Sequence, residues 1–331
     1  MTSCGLWRRY SIMRSPEFWY RPAGVAALLL TPFGWIYRVA SAVRQCLAHP
    51  VRADVPVVCI GNLVAGGAGK TPVSLAVAAL LRDRQPHFLT RGYGGRLTGP
   101  VLVDPQRHSV DDVGDEALLL AAAAPTWLAH DRVAGARAAA EASAGVIVMD
   151  DGFQNPHLAK DISLIVIDGQ AGLGNGLPMP AGPLREPPAR GLRRAQGVVM
   201  IGADRHRIVP GLPPGLPCFA ARLTPTNDAR TLAGQRVVAF AGIGRPEKFF
   251  ATLDELGCIV LLRRPFPDHH RFTDTEFDLL VREAATHAAT LATTAKDAVR
   301  LSAAQRARVR VVDVTLSWDD EASVRRLLAD L

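Results

Sequence analysis

The sequence has few cysteines, and none of them lies close to another. The five, Cys4, Cys46, Cys59, Cys218 and Cys258, are scattered singly through 331 residues, without a C-x-x-C pair. Structural zinc sites and disulfide frameworks use cysteines at short, regular spacings, so neither is indicated. The chain therefore fits a reducing, cytosolic environment.

Acidic side chains are almost absent from the first 52 residues. Glu17 is the single acid of this segment. Its seven basic side chains are Arg8, Arg9, Arg14, Arg21, Arg38, Arg44 and Arg52.

A long apolar run is also lacking. Sixteen uncharged residues separate Arg21 from Arg38, whereas a bilayer span needs roughly 20. We further expect Pro32 to interrupt this stretch.

Aromatic side chains flank the apolar stretch, with Trp19 and Tyr20 at one end and Trp35 and Tyr37 at the other. Aromatic rings and arginines are typical of segments at a membrane interface. The sequence therefore predicts that residues 1–52 form a basic, apolar segment that lies on or dips into a membrane. The alternative is an N-terminal helix packed on the protein's own core. A secretory signal peptide is disfavoured, because no small-residue cleavage site follows.

Strand-like and helix-like segments alternate along the rest of the chain. The whole chain of 331 residues, with 48% hydrophobic and 21% charged residues, can bury one large core or two smaller ones. Continuous apolar runs at 146–149 and 162–167 are typical of buried parallel strands. We therefore predict an α/β fold, with a doubly wound, mostly parallel sheet of the P-loop NTPase type at residues 53–217. A smaller α/β domain is predicted at residues 218–331.

One stretch, VPVVCIGNLVAGGAGKTP at residues 55–72, has the pattern of a strand, a glycine-rich turn and a helix. Small residues let backbone N–H groups surround phosphate oxygens, while a lysine reaches the β- and γ-phosphates and a hydroxyl ligates Mg²⁺. The predicted nucleotide contacts are Gly66, Gly67, Ala68, Gly69, Lys70 and Thr71. The strict pattern has glycine where this chain has Val64, so a plain turn between strand and helix is the alternative.

Two adjacent carboxylates, Asp150 and Asp151, end the apolar run VIVMDD. Phosphate-loop enzymes place the acid that organises Mg²⁺ at such a strand end, and buried acids need a cation nearby. We predict that Thr71, Asp150 and Asp151 form the metal site. The alternative is a pair of solvated turn acids.

Other candidates lie in loops and at helix starts. Asp115 opens a predicted helix, where a carboxylate is commonly a cap. His269 and His270 follow Asp268 in a loop, and a carboxylate oriented by a histidine could accept a hydroxyl proton. Residues that could bind phosphate or clamp a substrate are Arg91, Arg132, Arg185 and Glu186. The Gly-, Pro- and Arg-rich loop at 169–194 is long enough to be functional.

Eight motifs follow one another between residues 61 and 301, namely GNLVAGGAGKTP, TRGYGG, VGDEALLL, DDGFQNPHLAKD, GNGLPMPAGPLREP, AFAGIGRPEKFF, FPDHHRFT and TTAKDAVRL. In content and order they resemble the tetraacyldisaccharide 4'-kinase family of lipid A biosynthesis. That family also has a residue other than glycine at the position of Val64.

The resemblance implies a kinase that transfers the γ-phosphate of ATP to the 4'-hydroxyl of a tetraacylated glucosamine disaccharide 1-phosphate. Its cofactors would be ATP and Mg²⁺, and it would act at the cytoplasmic face of the inner membrane. Its partners would be this anionic glycolipid and the membrane surface, with no nucleic acid and no stable protein partner. With the resemblance, we expect catalysis by Asp115 with His269 or His270. Gln154 joins the expected nucleotide contacts, and Tyr93 joins the expected substrate contacts.

Two other functions remain open at this point. A membrane-recruited switch-type ATPase would use the same loop and acids to hydrolyse ATP without a phosphorylated acceptor. A soluble small-molecule kinase would need neither the basic segment nor a membrane.

Overall fold

The computed structural model describes residues 16–331, which form two compact units. The larger unit comprises residues 16–224 and 315–331, and the smaller one residues 225–314. Three of the predicted basic side chains, Arg8, Arg9 and Arg14, lie outside the described residues, as does Cys4. The basic segment is therefore described from Arg21 onward.

The larger unit is built on a nine-stranded sheet, with strands numbered along the chain. They are β1 Val57–Gly61, β2 Pro86–Thr90, β3 Val101–Leu102, β4 Thr126–Leu128, β5 Val146–Asp150, β6 Ile162–Asp168, β7 Gly197–Ile201, β8 Cys218–Pro225 and β13 Val314–Trp318. Their order is β13-β8-β7-β6-β1-β5-β2-β4-β3. Neighbouring strands from β8 to β4 are parallel, and β3 is antiparallel to β4.

Apolar side chains cover both faces of this sheet. Along β1, Val58 and Ile60 enter the core on one face, and Val57 and Cys59 enter the core on the other. Helices cover the two faces, as expected for continuous apolar strands in a parallel sheet. The helices of this unit are α1 Val25–Leu47, α2 Lys70–Leu80, α3 Val110–Val113, α4 Asp115–Ala121, α5 Arg132–Glu141, α6 Pro188–Leu192 and α12 Glu321–Ala329. Short 3₁₀ helices lie at Glu17–Tyr20, Arg82–Arg84 and Val209–Gly211.

The smaller unit has a four-stranded parallel sheet of order β10-β9-β11-β12. Its strands are β9 Arg236–Ala241, β10 Ile259–Pro265, β11 Thr290–Thr294 and β12 Arg310–Val312. Its helices are α7 Asn227–Arg230, α8 Pro246–Glu255, α9 Asp274–Thr286, α10 Ala295–Ala298 and α11 Ala303–Arg306. The predicted fold class, a mostly parallel α/β sheet with a smaller α/β unit, is confirmed.

Two sequence-based expectations differ from the structure. The predicted boundary between residues 217 and 218 is misplaced, because β8 pairs with β7 inside the large sheet. The last seventeen residues, 315–331, also return to the larger unit. Pro32 does not interrupt α1, which is continuous over 23 residues. A proline inside a helix removes one backbone hydrogen bond, and this long helix continues despite that loss.

Most of the large apolar side chains that the described residues expose lie on α1. The α1 apolar face consists of Val25, Leu28, Leu29, Phe33, Ile36, Val39, Val43 and Leu47, each more than half exposed. These positions recur every three or four residues, so they share one side of the helix. Among residues 16–331, α1 is the one helix long and apolar enough to cross a membrane by length and composition.

Candidate functional site

The predicted phosphate loop joins the carboxyl end of β1 to the first turn of α2. Gly66 and Gly69 have φ of 111° and 85°, conformations that glycine adopts without strain. Gly69 is followed at once by Lys70, the first residue of α2. Backbone N–H groups at this helix start have no partner within the helix, which makes the turn suited to bind phosphate oxygens. The turn is therefore built as the sequence predicts.

Asp150 lies at the end of β5, the strand next to β1, and it is 1% exposed. Its carboxylate accepts hydrogen bonds from Thr71 Oγ1 at 3.2 Å and Ser74 Oγ at 2.8 Å. Burial and the nearby charge of Glu116 raise the pKa of Asp150 to about 7, against the opposing effect of Lys70. A cation bound beside a buried carboxylate favours its ionised form, so Asp150 is a suitable neighbour for a metal ion.

Asp151 is held differently, although it follows Asp150 directly. Its carboxylate contacts Arg185 at 2.8 Å and Lys70 Nζ at 3.5 Å. Burial alone would raise the pKa of Asp151, but Lys70 and Arg185 outweigh it and lower that pKa below its ordinary value. The charge of Asp151 is thus balanced by protein side chains, whereas Asp150 has hydroxyl partners.

The donor set at Asp150 fits a magnesium ion bound together with nucleotide phosphates. Mg²⁺ typically uses one or two protein carboxylates plus phosphates and water, instead of an all-protein cage. Among residues 16–331, no cluster of three or more His, Cys, Asp or Glu side chains could hold a metal by itself. The hydroxyl of Thr71 and the carboxylate of Asp150 lie together here, and a metal site of Thr71, Asp150 and Asp151 stays a prediction.

The 169–194 loop, which the sequence marks as functional, packs along the phosphate loop. Arg185 N donates to Leu63 O at 2.8 Å, and Ala65 N donates to Pro183 O at 2.7 Å. Val64 forms an isolated β-bridge with Leu184. Two strand-like contacts therefore fix the entry to the phosphate loop, and Val64 is a buried part of them instead of a defect.

Glu186 and Gln154 connect the two loops through side chains. Gln154 Nε2 donates to Asn62 O at 2.8 Å and to Glu186 Oε1 at 3.2 Å. Arg194 contacts both oxygens of Glu186, at 2.6 and 2.8 Å, and its guanidinium lies 4.6 Å from the centre of the Phe153 ring. The Glu186 side chain is 2% exposed and directed inward. A substrate contact by Glu186 and a nucleotide contact by Gln154 stay predictions.

Arg194→Ala is expected to destabilise the larger unit by about 3 kcal/mol, because it leaves the Glu186 carboxylate buried without its cation. Urea unfolding of the purified protein measures this change. The matched control is Arg222→Ala, which breaks an exposed pair with Asp319 and should cost no more than about 1 kcal/mol. Equal losses in the two variants would show that the Glu186–Arg194 pair has no special structural role.

Arg132 begins α5 and is 4% exposed. One of its terminal nitrogens donates to Ala129 O, while its Nε has no hydrogen-bond partner among the described residues. Burial, together with the charge of Arg91, lowers the pKa of Arg132 to about 10. A buried guanidinium with a free donor suits an anion. Arg91 and Tyr93 are exposed in the loop after β2, and their substrate contacts stay predictions.

Asp115 is the first residue of α4 and is 1% exposed. Its Oδ1 accepts a hydrogen bond from Glu116 N at 3.0 Å within the first turn, while the N-cap position is Gly114, which has no side-chain cap bond. The neighbouring Glu116 is close enough to influence Asp150 electrostatically, which places the start of α4 near the strand-end acids. A catalytic role for Asp115 is compatible with this position and stays a prediction.

The two histidines lie in the smaller unit, between β10 and α9, and their surroundings differ. His270 stacks on Phe266 with ring centres 4.8 Å apart, and its Nε2 is 3.1 Å from Glu276. His269 has a φ of 58°, is about one third exposed, and lies 3.8 Å from Asp268. Asp115 belongs to the larger unit, so the predicted pairing of Asp115 with a histidine stays a prediction.

Within the larger unit the structure brings together the phosphate loop, Asp150, Asp151, Gln154, Arg185 and Glu186, all predicted from sequence. Sequence reasoning missed Ser74 and Arg194. Ser74 is four residues after Lys70, one helical turn away, and that spacing is the signal that could have found it. Arg194 carries no local signal, because its contact with Glu186 depends on how the loop folds back.

Comparisons with known proteins agree on one family. A family model described as Tetraacyldisaccharide-1-P 4'-kinase matches residues 26–331. A tetraacyldisaccharide 4'-kinase of Rhodospirillum centenum is 54% identical over 326 residues, covering 96% of this chain and 97% of its own. One of Paramagnetospirillum magneticum is 54% identical over 312 residues, covering 93% and 95%.

A solved structure is also similar, that of LpxK from Aquifex aeolicus in complex with ATP. It matches with a TM-score of 0.73 and 27% sequence identity, and the match covers 92% of this chain and 98% of the other. The chain belongs to the tetraacyldisaccharide-1-P 4'-kinase family.

Proposed function

We propose that this protein transfers the γ-phosphate of ATP to the 4'-hydroxyl of an anionic, tetraacylated glucosamine disaccharide 1-phosphate at a membrane surface. The proposal rests on the contacts of the 169–194 loop. This loop is hydrogen-bonded to the phosphate loop on one side and to the apolar helix α1 on the other. A nucleotide site and a lipid-binding surface are thereby parts of one unit.

For ATP, the roles follow from the contacts around the phosphate loop. The loop backbone binds phosphate oxygens, and Lys70 and Arg185 supply positive charge beside Asp151. Mg²⁺ would be held by Thr71 and Asp150, where it would neutralise charge on the phosphates. Arg132 offers its unpartnered Nε to an anionic group. These groups stabilise the charge that develops during phosphoryl transfer.

For the acceptor, the proposal assigns Asp115 as the base that takes the proton of the 4'-hydroxyl. A carboxylate at a helix start is fixed in direction, which a base needs to reach a hydroxyl. Arg91 and Tyr93, exposed in the neighbouring loop, are the proposed contacts to the sugar phosphate. The proposal keeps one of His269 and His270 as a second catalytic residue.

The membrane role rests on the α1 apolar face and on how α1 is attached. On its other side, α1 is anchored to the larger unit, where Gln45 accepts a hydrogen bond from Arg194 at 3.2 Å and Gly34 lies against Pro178. The preceding 3₁₀ helix is attached as well, because Trp19 Nε1 donates to Pro180 O at 2.9 Å. The apolar face therefore points away from the unit, as a lipid-binding surface does.

The proposal is tested by incubating the full-length protein with γ-labelled ATP, Mg²⁺ and a lipid extract. Label is expected in a lipid. Label that is released as inorganic phosphate would instead indicate a switch-type ATPase, and label in a soluble metabolite would indicate a small-molecule kinase. Either of those results contradicts the proposal.

Replacing Leu28, Leu29, Phe33 and Ile36 with serine is expected to weaken liposome binding by at least about 10²-fold, because an apolar side chain contributes on the order of 1.5 kcal/mol when it is fully buried. The Michaelis constant for the lipid should rise, and that for ATP should stay unchanged. Flotation with liposomes and initial-rate kinetics measure the two effects.

The matched control removes exposed apolar side chains elsewhere in the same unit, at Leu102 and Val209. Leu102→Ser with Val209→Ser should leave liposome binding unchanged. Should the control and the α1 variant bind liposomes equally well, the α1 apolar face would not be the membrane contact.

A further inference from the structure

A buried ion pair lies at the carboxyl edge of the sheet in the smaller unit. Asp297 and Arg300, in and just after α10, are 2.9 Å apart, with side chains 0% and 2% exposed. Thr294 Oγ1 donates to the second carboxylate oxygen of Asp297 at 2.6 Å. Neither residue belongs to the phosphate-loop site described above.

The pair holds both backbone groups of Gly242, the residue that follows β9. Gly242 N donates to Asp297 Oδ1 at 3.0 Å, and Arg300 donates to Gly242 O at 2.7 Å. The same carbonyl accepts a hydrogen bond from His269 N at 3.1 Å. Gly242 is therefore the link between the ion pair and the segment that carries both histidines.

We name residues 267–270 the histidine turn. Its second backbone bond, from His270 N to Pro267 O at 3.1 Å, closes the turn on itself. A Cβ at Gly242 would lie 3.1 Å from Asp297 Oδ1, His270 Cβ and Pro267 O. Glycine at position 242 therefore allows both the ion pair and the histidine turn to approach its Cα closely.

Stability alone is a weak reason for such a pair. Buried ion pairs are often replaced by apolar side chains without loss of stability, because desolvation offsets the attraction between the charges. A fixed geometry is a better reason, since the planar guanidinium and the carboxylate set the direction of every hydrogen bond they make. The three segments that they join, after β9, β10 and β11, all lie at the sheet edge where open α/β sheets bind ligands.

We propose that Asp297 and Arg300 are positioning residues, which hold the histidine turn in the geometry needed for phosphoryl transfer by fixing Gly242. The proposal rests on the proposed function, in which a histidine of this turn assists the reaction. It holds whichever of His269 and His270 does so, because Gly242 O accepts the hydrogen bond of His269 N and His270 follows directly in the same turn.

Two variants test it without deleting a charge. Arg300→Lys keeps the cation and loses the fork of donors, and Gly242→Ala keeps both charges of the pair while its Cβ presses on Asp297 Oδ1 and on the histidine turn. Because small displacements of reacting groups are costly, we expect each to lower kcat by about 10- to 100-fold with the Michaelis constant for ATP unchanged. Histidine ring resonances in NMR spectra should shift in both variants.

The matched control is Arg264→Lys, which alters a partly buried ion pair of the same unit, between Arg264 of β10 and Glu283 of α9. It should leave kcat and the ring resonances unchanged. If Arg300→Lys and Gly242→Ala lowered only the unfolding temperature and kept kcat, the pair would be structural and the inference would be overturned.

The histidine variants separate this inference from the proposed function. His269→Ala and His270→Ala should not both retain full kcat, because one of the two side chains assists the reaction. If both retained it while the lipid was still phosphorylated, the inference would fail and the proposed function would stand. If the wild-type protein failed to phosphorylate the lipid, the proposed function itself would fail.

Discussion

Lys70→Ala is expected to lower the rate of lipid phosphorylation by about 10³-fold, because it removes a positive charge from the place where phosphate charge develops. The fold should persist, since Asp151 keeps its contact with Arg185 at 2.8 Å. Initial rates with saturating ATP and lipid measure the loss, and circular dichroism confirms the fold.

Arg222→Ala is the control for Lys70→Ala, because it removes a cation from an exposed pair on β8 in the same unit. It should keep the wild-type rate. Near-normal turnover by the Lys70 variant would remove the phosphate loop from the mechanism.

Asp115→Asn is expected to lower kcat by about 10²- to 10⁴-fold, the usual contribution of a general base. Asparagine can still accept the hydrogen bond that Asp115 receives from Glu116 N, so the helix start should keep its stability. Asp115→Ala should lose the same factor in kcat and, in addition, about 1 kcal/mol of stability, because the hydrogen bond from Glu116 N is lost. Steady-state kinetics and urea unfolding of both variants provide the two measurements.

This pair of substitutions separates a base from a residue that only stabilises the helix start. A structural role predicts that Asn keeps both rate and stability and that Ala loses stability alone. Wild-type kcat in Asp115→Asn would therefore restrict Asp115 to a structural role at the start of α4.

The parts of the site that the sequence predicts are those with local causes. A β-branched strand, a turn of glycines and a helix start follow one another between residues 57 and 80, so the phosphate loop is readable without tertiary information. The same holds for Asp150, which ends an apolar strand. Parallel strands bring their carboxyl ends to one edge, which explains why these two segments meet.

The parts that could not be predicted depend on distant segments. Arg194 reaches Glu186 only because the 169–194 loop turns back along the phosphate loop. The domain boundary is misread because a Pro-rich stretch before β8 is typical of a linker, whereas the strand after it still pairs in the large sheet. The return of residues 315–331 to that unit has no sequence signal in a single chain.

Tertiary contacts of α1 explain why the helix continues past Pro32, contrary to the sequence-based expectation. Pro32 is expected to break a helix, yet α1 continues to Leu47 because its inner side packs on the 169–194 loop at Gly34 and Gln45. Tertiary contacts of this kind outweigh a local penalty of roughly 3 kcal/mol. The apolar stretch seen in the sequence therefore becomes a longer helix than its composition indicates.

The position of the transferred phosphate distinguishes 4'-phosphorylation from every alternative. The full-length protein is incubated with ATP, Mg²⁺ and a defined tetraacyldisaccharide 1-phosphate in mixed micelles, and the product is analysed by ³¹P–¹H correlation NMR. We expect a new phosphate monoester coupled to the proton at the 4'-carbon, formed in equal amount to ADP. Release of inorganic phosphate without that monoester, or a monoester at another hydroxyl, would contradict it.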